Sequence, residues 1–161
     1  MSQSVDGAGS ENHEGKATVI ANAEALATGH ASGPKVRLSE PLSFWGGYDA
    51  VRGLIVEKTH PAFGQSLAGT IMVMRHAKGS SSSSSVLAEA IRCGTGPAGI
   101  VLRERDLIIA IGVIVADELY AASVPLVVVG ERDFDTVCHG GATITIDAPR
   151  ENGPARITLT T

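Results

Sequence analysis

Aromatic residues, cysteines and surplus positive charge are scarce in this chain, and each shortage argues against a class of function. Aromatic side chains make up only 4% of the 161 residues, too few for the stacking platforms that bind single-stranded nucleic acid. The net charge of −4 disfavours a nucleic-acid or anionic-membrane surface. No apolar run approaches the roughly 18 residues of a membrane span. The sequence therefore predicts neither a nucleic-acid partner nor a membrane partner.

The two cysteines, Cys93 and Cys138, lie far apart and form no C-x-x-C pair. This predicts a reducing, cytoplasmic environment and no metal site within the chain. We expect both cysteines to behave as buried small hydrophobic residues. Residues 1–15 are polar and lack the apolar core of a signal peptide, which predicts a flexible tail. Residues 16–161 are long enough to bury a core as a single domain.

The pattern of hydrophobic residues, which make up 43% of the chain, predicts an α/β domain with a strand-rich N-terminal half. Strands are predicted at 17–20, 36–38, 53–56, 68–74, 98–102, 125–129, 142–147 and 157–161, the last at a sheet edge. Helices are predicted at 86–92 and 115–122. The stretch 23–33 is weakly patterned, and Gly33-Pro34 predicts a turn.

Six consecutive serines, Ser80–Ser85, follow Gly79 and separate a predicted strand from a predicted helix. The run is short and joins two apolar segments that need each other's cover, which disfavours a flexible linker. Serine hydroxyls at a helix start can cap its free N–H groups. The same N–H groups, the helix dipole and Lys78 can instead bind an anion or activate a serine. From the residues alone, a structural cap and an anion-binding or catalytic site both remain open.

Other polar residues and motifs give weaker signals of chemistry. There is no G-x-x-x-x-G-K-[ST] phosphate loop, which disfavours nucleotide binding, and no G-x-S-x-G elbow, which disfavours an ordinary serine hydrolase. His60 and His76 could line the same cleft as the serines, although a lone histidine is more often structural. Asp117 and Glu118 fit a solvated helix face, and His139-Gly140-Gly141 fits a turn.

A second unusual segment is 42–49, which holds the chain's single tryptophan beside a Gly-Gly pair. Gly46-Gly47 lets the backbone turn sharply or pass close to another group. One interpretation is a hydrophobic anchor at a bend. The other is a pocket wall or a subunit interface, where tryptophan and tyrosine are favoured.

Four segments together resemble the small subunit, or swivel domain, of aconitase X. They are Ser43-Phe44-Trp45-Gly46-Gly47, His60-Pro61 with Gly64, Gly79-Ser80 leading into Val86-Leu87-Ala88-Glu89, and Pro97-Ala98-Gly99-Ile100. Their order and spacing match over roughly residues 17–147, and the combination of the first and third segments is specific. The resemblance implies a swivelling β/β/α domain like the mobile domain of aconitases.

The resemblance also implies roles for individual residues. Aconitases place a catalytic serine base in a Gly-Ser-Ser segment at a helix start, which corresponds to Ser80 here and would take the proton α to the substrate carboxylate. Ser81, Gly79 and Lys78 would bind the substrate. A pocket wall or interface would be formed by Phe44, Trp45, Gly46 and Gly47. The family commonly has arginine where this chain has Lys78, a change that keeps the charge but loses the bidentate fork.

Aconitase X proteins are dehydratases built from a large and a small part, and they act on cis-3-hydroxy-L-proline in bacteria or a phosphorylated mevalonate in archaea. The serine stretch before V-L-A-E is more similar to the bacterial type, whose product is pyrroline-2-carboxylate. The resemblance implies a heterodimer whose large subunit holds the iron, often an iron–sulfur cluster such as [2Fe–2S], as the Lewis acid. This chain alone would be inactive. The alternatives are a phosphomevalonate dehydratase small subunit, a non-catalytic swivelling partner, and a carbohydrate- or acid-binding module.

Overall fold

The structure of the chain is a computed structural model that describes residues 15–150 and 153–161. Apart from Gly15, the expected flexible tail of residues 1–15 lies outside the described residues. In chain order the strands are β1 (Thr18–Ala27), β2 (Gly29–Arg37), β3 (Tyr48–Asp49), β4 (Leu54–Ile55), β5 (Ile71–Met74), β6 (Gly99–Leu102), β7 (Leu126–Val128), β8 (Thr143–Ala148) and β9 (Ala155–Thr160). The helices are α1 (Phe44–Gly47), α2 (Ser83–Arg92), α3 (Leu107–Tyr120) and α4 (Glu131–His139).

Seven strands close into a barrel in the order β1-β7-β6-β5-β2-β8-β9, and β3 pairs with β4 in a separate two-stranded sheet. Strands β2, β5, β6 and β7 pair in parallel, whereas the pairs that involve β1, β8 or β9 are antiparallel. Helices α2 and α3 form the crossovers that parallel strands require. The predicted α/β fold is confirmed, and the starts of α2 and α3 follow the carboxyl ends of β5 and β6.

Two apolar cores lie on opposite faces of the parallel strands. Alternate residues of β5 divide between them, as the period of two in a strand dictates. Ile71 and Val73 pack in the core that includes the other barrel strands and α4. Met72 and Met74 pack in the core that includes α2 and α3. All four residues of β5 are therefore buried, which explains why the segment is continuously apolar.

Helices α2 and α3 approach each other closely at Gly112. A Cβ atom on Gly112 would lie 2.9 Å from Leu87 Cδ2 and 3.1 Å from the carbonyl oxygen of Ser84. A larger residue would push the helices apart, so glycine allows α2 and α3 to lie close together here. The hydroxyl of Ser84 donates a 2.7 Å hydrogen bond to the carbonyl of Ile108 across this contact. The start of α2 is thereby fixed to the start of α3.

The turn predicted at Gly33-Pro34 is wrong, because β2 runs through both residues. Residues 29–34 pair with β8, and residues 35–37 pair with β5, so the strand changes partner immediately after Pro34. A Cβ on Gly33 would lie 2.5 Å from the carbonyl oxygen of Gly69. Glycine and proline therefore mark a crossing point within one strand, where another backbone passes closely.

Helix prediction fails where the sequence is apolar on all sides. The helix expected at 115–122 is the second half of α3, which begins at Leu107. The side chain of Asp106 caps α3 by accepting the N–H groups of Ile108 and Ile109.

Helix α4 has no counterpart in the sequence-based prediction. The last strand, β9, is not at an edge as predicted, because it pairs with both β1 and β8 and closes the barrel.

The prediction that both cysteines are buried is right for Cys138 and wrong for Cys93. Cys138 lies in α4 and packs in a core, and this burial raises the pKa of its thiol. Cys93 is exposed at the carboxyl end of α2. None of the helices in the described part of the chain combines the length and apolar character that crossing a membrane demands.

Candidate active site

The loop between β5 and α2 brings the two unusual segments of the sequence together. It lies at the carboxyl end of the parallel strand β5. Gly79 in this loop has a φ of +97°, a conformation that favours glycine. A Cβ atom on Gly79 would collide with Ser43 Oγ and lie 2.9 Å from Ser43 Cβ. The backbone that leads into the serine run is therefore packed against segment 42–49.

Two further contacts fix the loop ahead of Gly79. The N–H of Ala77 donates a 2.9 Å hydrogen bond to Oδ2 of Asp106, whose Oδ1 caps α3. The N–H of Lys78 donates a 3.3 Å hydrogen bond to the carbonyl of Leu42. Because the carboxylate of Asp106 accepts hydrogen bonds from both α3 and the loop, the loop ahead of Gly79 is attached to the start of α3.

Ser80 and Ser81 are exposed at the end of this loop. The carbonyls of Ser80 and Ser81 accept the N–H groups of Ser83 and Ser84 at 3.0 and 3.2 Å, which forms the turn that leads into α2. Ser80 Oγ accepts the N–H of Ser82 at 3.1 Å. The backbone N–H groups of Gly79, Ser80 and Ser81 donate to no acceptor among the described residues. Together with the dipole of α2, these groups can hold an anion.

The hydroxyls of Ser83 and Ser84 make contacts that hold the fold together. Ser83 is fully buried, and its Oγ accepts the N–H of Trp45 at 3.0 Å. Ser43 Oγ lies 3.5 Å from the same oxygen. Ser84 makes the hydrogen bond to Ile108 described above. The helix starts at Ser83 and not at Val86 as predicted, and its N-cap residue, Ser82, makes no side-chain capping hydrogen bond. The serine run therefore combines an exposed loop with two hydroxyls that bind neighbouring segments, and the expected hydroxyl cap of α2 is wrong.

Segment 42–49 contains a buried anchor and, beside it, an exposed aromatic residue. Phe44 is fully buried and packs edge-to-face on Tyr48, with ring centroids 5.5 Å apart. It is an anchor in the core and not a pocket or interface residue. Trp45 is 59% exposed, and Gly46, with a φ of +76°, turns the chain beside it. Gly47 is buried. Trp45 thus supplies an exposed apolar surface next to the serine loop.

Lys78 is paired with Glu57, a residue that the sequence did not single out. Lys78 Nζ donates a 2.8 Å hydrogen bond to Glu57 Oε1. Glu57 Oε2 is buried and has no hydrogen-bond partner in the described part of the chain. No motif marks Glu57 in the sequence. Its position three residues before His60-Pro61, which carries part of the resemblance, was the available signal.

The two candidate histidines are occupied by local contacts. His60 is buried, its Nε2 donates to the carbonyl of Glu40 at 3.0 Å, and its Nδ1 accepts the N–H of Ala62 at 3.0 Å. Both ring nitrogens thus hold the 57–64 loop, which makes His60 structural. His76 lies in the loop between β5 and α2, and its Nδ1 donates to the carbonyl of Ala77 at 2.8 Å.

The profile of the family described as "Aconitase X swivel domain" matches residues 20–153. The chain belongs to the aconitase X swivel-domain family. The cis-3-hydroxy-L-proline dehydratase of Pseudomonas aeruginosa is 44% identical to it over 110 residues, which cover 68% of this chain and 19% of that protein. The phosphomevalonate dehydratase small subunit of Methanothrix thermoacetophila is 30% identical over 123 residues, which cover 76% of this chain and 85% of that subunit.

The crystal structure of Thermococcus kodakaraensis aconitase X in its holo-form has the same fold, with a TM-score of 0.69 and 26% sequence identity. The match covers 89% of this chain and 98% of that chain. The aconitase X swivel domain of this chain therefore spans about a fifth of the cis-3-hydroxy-L-proline dehydratases it matches, and most of a small subunit.

The described part of this swivel domain does not fit an iron–sulfur cluster of its own. Such clusters are held by several cysteine thiolates brought together in space. Cys93 is exposed and Cys138 is buried, and they lie on different helical segments. No group of three or more His, Cys, Asp or Glu residues that could hold a metal occurs among residues 15–150 and 153–161.

Proposed function

We propose that this chain is the small part of an aconitase X-type dehydratase that removes water from cis-3-hydroxy-L-proline. The observation that carries the proposal is the exposed Ser80 at the free N–H groups before α2, on a loop fixed by Ser43 and Asp106. The substrate loses the proton from its α carbon and hydroxide from C3, which together are water. The resulting enamine tautomerises to pyrroline-2-carboxylate.

Ser80 takes the α proton in this proposal. A serine hydroxyl is too weak an acid to serve as a base near neutral pH unless its alkoxide is stabilised. The N–H of Ser82 points at Ser80 Oγ from 3.1 Å, and a hydrogen bond to the charged form favours that form. The dipole of α2 adds partial positive charge at the same place. Both groups are part of the backbone and need no rearrangement during the reaction.

The remaining free donors bind the substrate carboxylate. The N–H groups of Gly79 and Ser81 flank Ser80, and Ser81 also offers an exposed hydroxyl. A carboxylate held there is adjacent to the α carbon, so one anchoring point places the acidic proton near Ser80. Binding of the carboxylate therefore also orients the α carbon toward Ser80.

A larger partner of the same enzyme covers this site in our proposal. Trp45 and Leu107 are 59% and 79% exposed. The N–H of Trp45 donates to the buried Ser83, and the hydroxyl of Ser84 donates to Ile108, the residue after Leu107. Ile111 and Ile114 continue the exposed apolar face along α3. Apolar patches of this kind mark interaction sites. In the related hydroxyproline dehydratases about four fifths of the protein lies outside the matched region, which supplies the occupant. We assign the iron–sulfur cluster to that part, and we expect this chain alone to be inactive.

The substrate assignment rests on the 44% identity over 110 residues to a cis-3-hydroxy-L-proline dehydratase, against 39% over 96 residues to a phosphomevalonate dehydratase small subunit. Purified complex of this chain with an aconitase X large subunit should form pyrroline-2-carboxylate from cis-3-hydroxy-L-proline and leave phosphomevalonate unchanged. The chain without the large subunit is the control and should form neither product. Turnover of phosphomevalonate alone would reassign the substrate. A complex that turns over neither compound would favour a non-catalytic swivelling partner.

A further inference from the structure

We propose that Glu57 is a positioning residue for the loop that carries Ser80, and that it acts through Lys78. Glu57 follows β4, and Lys78 immediately precedes Gly79. The 2.8 Å hydrogen bond between Lys78 Nζ and Glu57 Oε1 is the direct link between these two loops. The effect on catalysis rests on the proposed function, whereas the effect on the loop does not.

The Glu57–Lys78 pair differs from an ordinary surface ion pair because one of the two carboxylate oxygens is buried from solvent. Oε2 of Glu57 is buried without a hydrogen-bond donor in the described residues. The Glu57 side chain is 23% exposed, whereas that of Lys78 is 47% exposed. An ionised oxygen shielded from water needs a nearby countercharge. Lys78 supplies it, so the carboxylate depends on Lys78 more than Lys78 depends on the carboxylate.

The backbone around Gly47 holds Glu57 in place. A Cβ atom on Gly47 would lie 3.4 Å from Glu57 Oε2 and 3.3 Å from Leu42 Cδ1, so the carboxylate packs against the turn that carries Trp45. The N–H of Val56, the residue before Glu57, donates to the carbonyl of Gly47 at 2.9 Å. Glu57, which binds Lys78, therefore packs against the same turn whose Ser43 contacts Gly79.

Lys78 is thus held at both ends by one structural unit. Its backbone N–H donates to Leu42, and its ammonium group donates to Glu57. The next residue, Gly79, is in contact with Ser43, and Ser80 follows directly. An ion pair that fixes Lys78 therefore limits the positions available to Ser80. A displacement of about 1 Å at a reacting group can cost about 10²-fold in rate.

This geometry separates two roles for Lys78. The family resemblance implies that Lys78 binds the substrate directly. In the structure one N–H of its ammonium group donates to Glu57, and the side chain is 47% exposed. Removing the Glu57 charge would release the ammonium group and lower KM if Lys78 binds the substrate anion. If Glu57 instead positions the loop, the same change lowers kcat and leaves KM nearly unchanged.

Hydrogen exchange of the isolated chain tests the structural part without any assay of activity. We expect Glu57→Gln and Lys78→Gln each to speed amide exchange in peptides that cover residues 76–82. Lys78→Arg keeps the pair and should exchange like the wild type. Lys58→Gln is the matched control, since Lys58 is exposed and adjacent to Glu57 in the chain. Wild-type exchange in Glu57→Gln would overturn the proposal.

Kinetics of the complex with the large subunit test the catalytic part on cis-3-hydroxy-L-proline. Glu57→Gln should lower kcat by about 10²-fold and change KM by less than about threefold. The double variant Glu57→Gln/Lys78→Gln should lose little beyond either single variant, because both remove the same contact. An unchanged kcat with a lowered KM would overturn the positioning role. If the wild-type complex is inactive, the proposed function fails, and the exchange experiment still decides the role of Glu57 in the loop.

Discussion

Gly79 packs directly against the side chain of Ser43, and this contact joins the serine loop to the turn that exposes Trp45. Ser43 Oγ donates to the carbonyl of Trp45 at 3.0 Å and lies 3.5 Å from Ser83 Oγ, so the contact continues into the first turn of α2. Two of the four segments that carry the family resemblance therefore form one structural unit, and each is needed to place Ser80.

Gly79→Ala should destabilise the protein more than an alanine at a glycine with a similar backbone. Gly79 has a φ of +97° and no room for a Cβ beside Ser43. Gly64 has a φ of +83° and nothing within 4 Å, so Gly64→Ala isolates the backbone strain. Urea unfolding should show an additional loss of about 1–3 kcal/mol for Gly79→Ala, from overpacking. Ser43→Gly in the same chain should recover most of that difference, and equal losses in the two alanine variants would contradict the close packing.

Asp106→Asn should release the serine loop while it largely preserves α3. An asparagine oxygen can still cap the N–H groups of Ile108 and Ile109, but its amide group cannot accept the N–H of Ala77. Amide exchange at Ala77 should become faster, whereas exchange in the first turn of α3 should change little. Asp106→Ala removes both functions and should also cost about 1 kcal/mol of stability from the lost cap. Unchanged exchange at Ala77 in both variants would show that Asp106 does not hold the loop.

Leu107→Glu should weaken the complex with the large subunit and leave the isolated chain folded. Leu107 is the first residue of α3 and is 79% exposed, so it contributes little to the core. A buried, unpaired carboxylate in an interface is costly. Sedimentation of the mixed subunits should show an affinity at least about tenfold lower, equivalent to about 1.4 kcal/mol. Val19→Glu, at a 49% exposed position on β1, is the control and should bind normally. Equal binding by both variants would move the interface away from α3.

Much of the fold could be predicted from the sequence because local patterns specify it. Segments such as 71–74 and 99–102 are continuously apolar, and the structure buries every residue in both. Local patterns fail where long-range pairing decides. A glycine–proline pair usually marks a turn, yet Pro34 lies where β2 changes from pairing with β8 to pairing with β5. The pattern of α3 is apolar on nearly every side because one face packs on the sheet and another is left exposed, which hides the helical period.

The candidate site could be located but not resolved from the sequence. Six identical residues carry no information about which hydroxyl is exposed, and only the fold distinguishes the buried Ser83 from the exposed Ser80. Likewise, Glu57 is one acidic residue in a polar loop. Its relation to Lys78 depends on how two loops pack, which no local spacing encodes.

Acid should remove a contribution that Glu131 makes to stability. The carboxylate accepts two 2.9 Å hydrogen bonds from Arg75 and one of 2.7 Å from Arg103, the residues that follow β5 and β6. These partners, Arg75 first, lower the pKa of Glu131 from 4.5 to about 2. Because the unfolded chain takes up this proton at higher pH, the stabilisation is complete above pH 4.5 and is lost as the pH falls toward 2.

Urea unfolding between pH 5 and 2 measures this effect. This range spans the titration of Glu131 in the unfolded chain and most of its titration in the folded chain. Glu131→Gln should flatten the pH dependence relative to the wild type, whereas Glu118→Gln, at an exposed position on α3, should not. Added salt should reduce the difference, since these side chains are exposed. An identical slope in the wild type and in Glu131→Gln would show that the cluster is too mobile to shift the pKa.

The turnover of Ser80→Ala in complex with the large subunit tests the central claim most directly. Ser85→Ala is the matched control, since Ser85 belongs to the same run but lies within α2. With cis-3-hydroxy-L-proline, Ser80→Ala should bind substrate with nearly unchanged affinity and lose about 10²–10⁴-fold in kcat, as expected for removal of a general base. Ser85→Ala should retain wild-type activity. Retained turnover in Ser80→Ala, in a complex whose wild type is active, would contradict the assignment of Ser80 as the base.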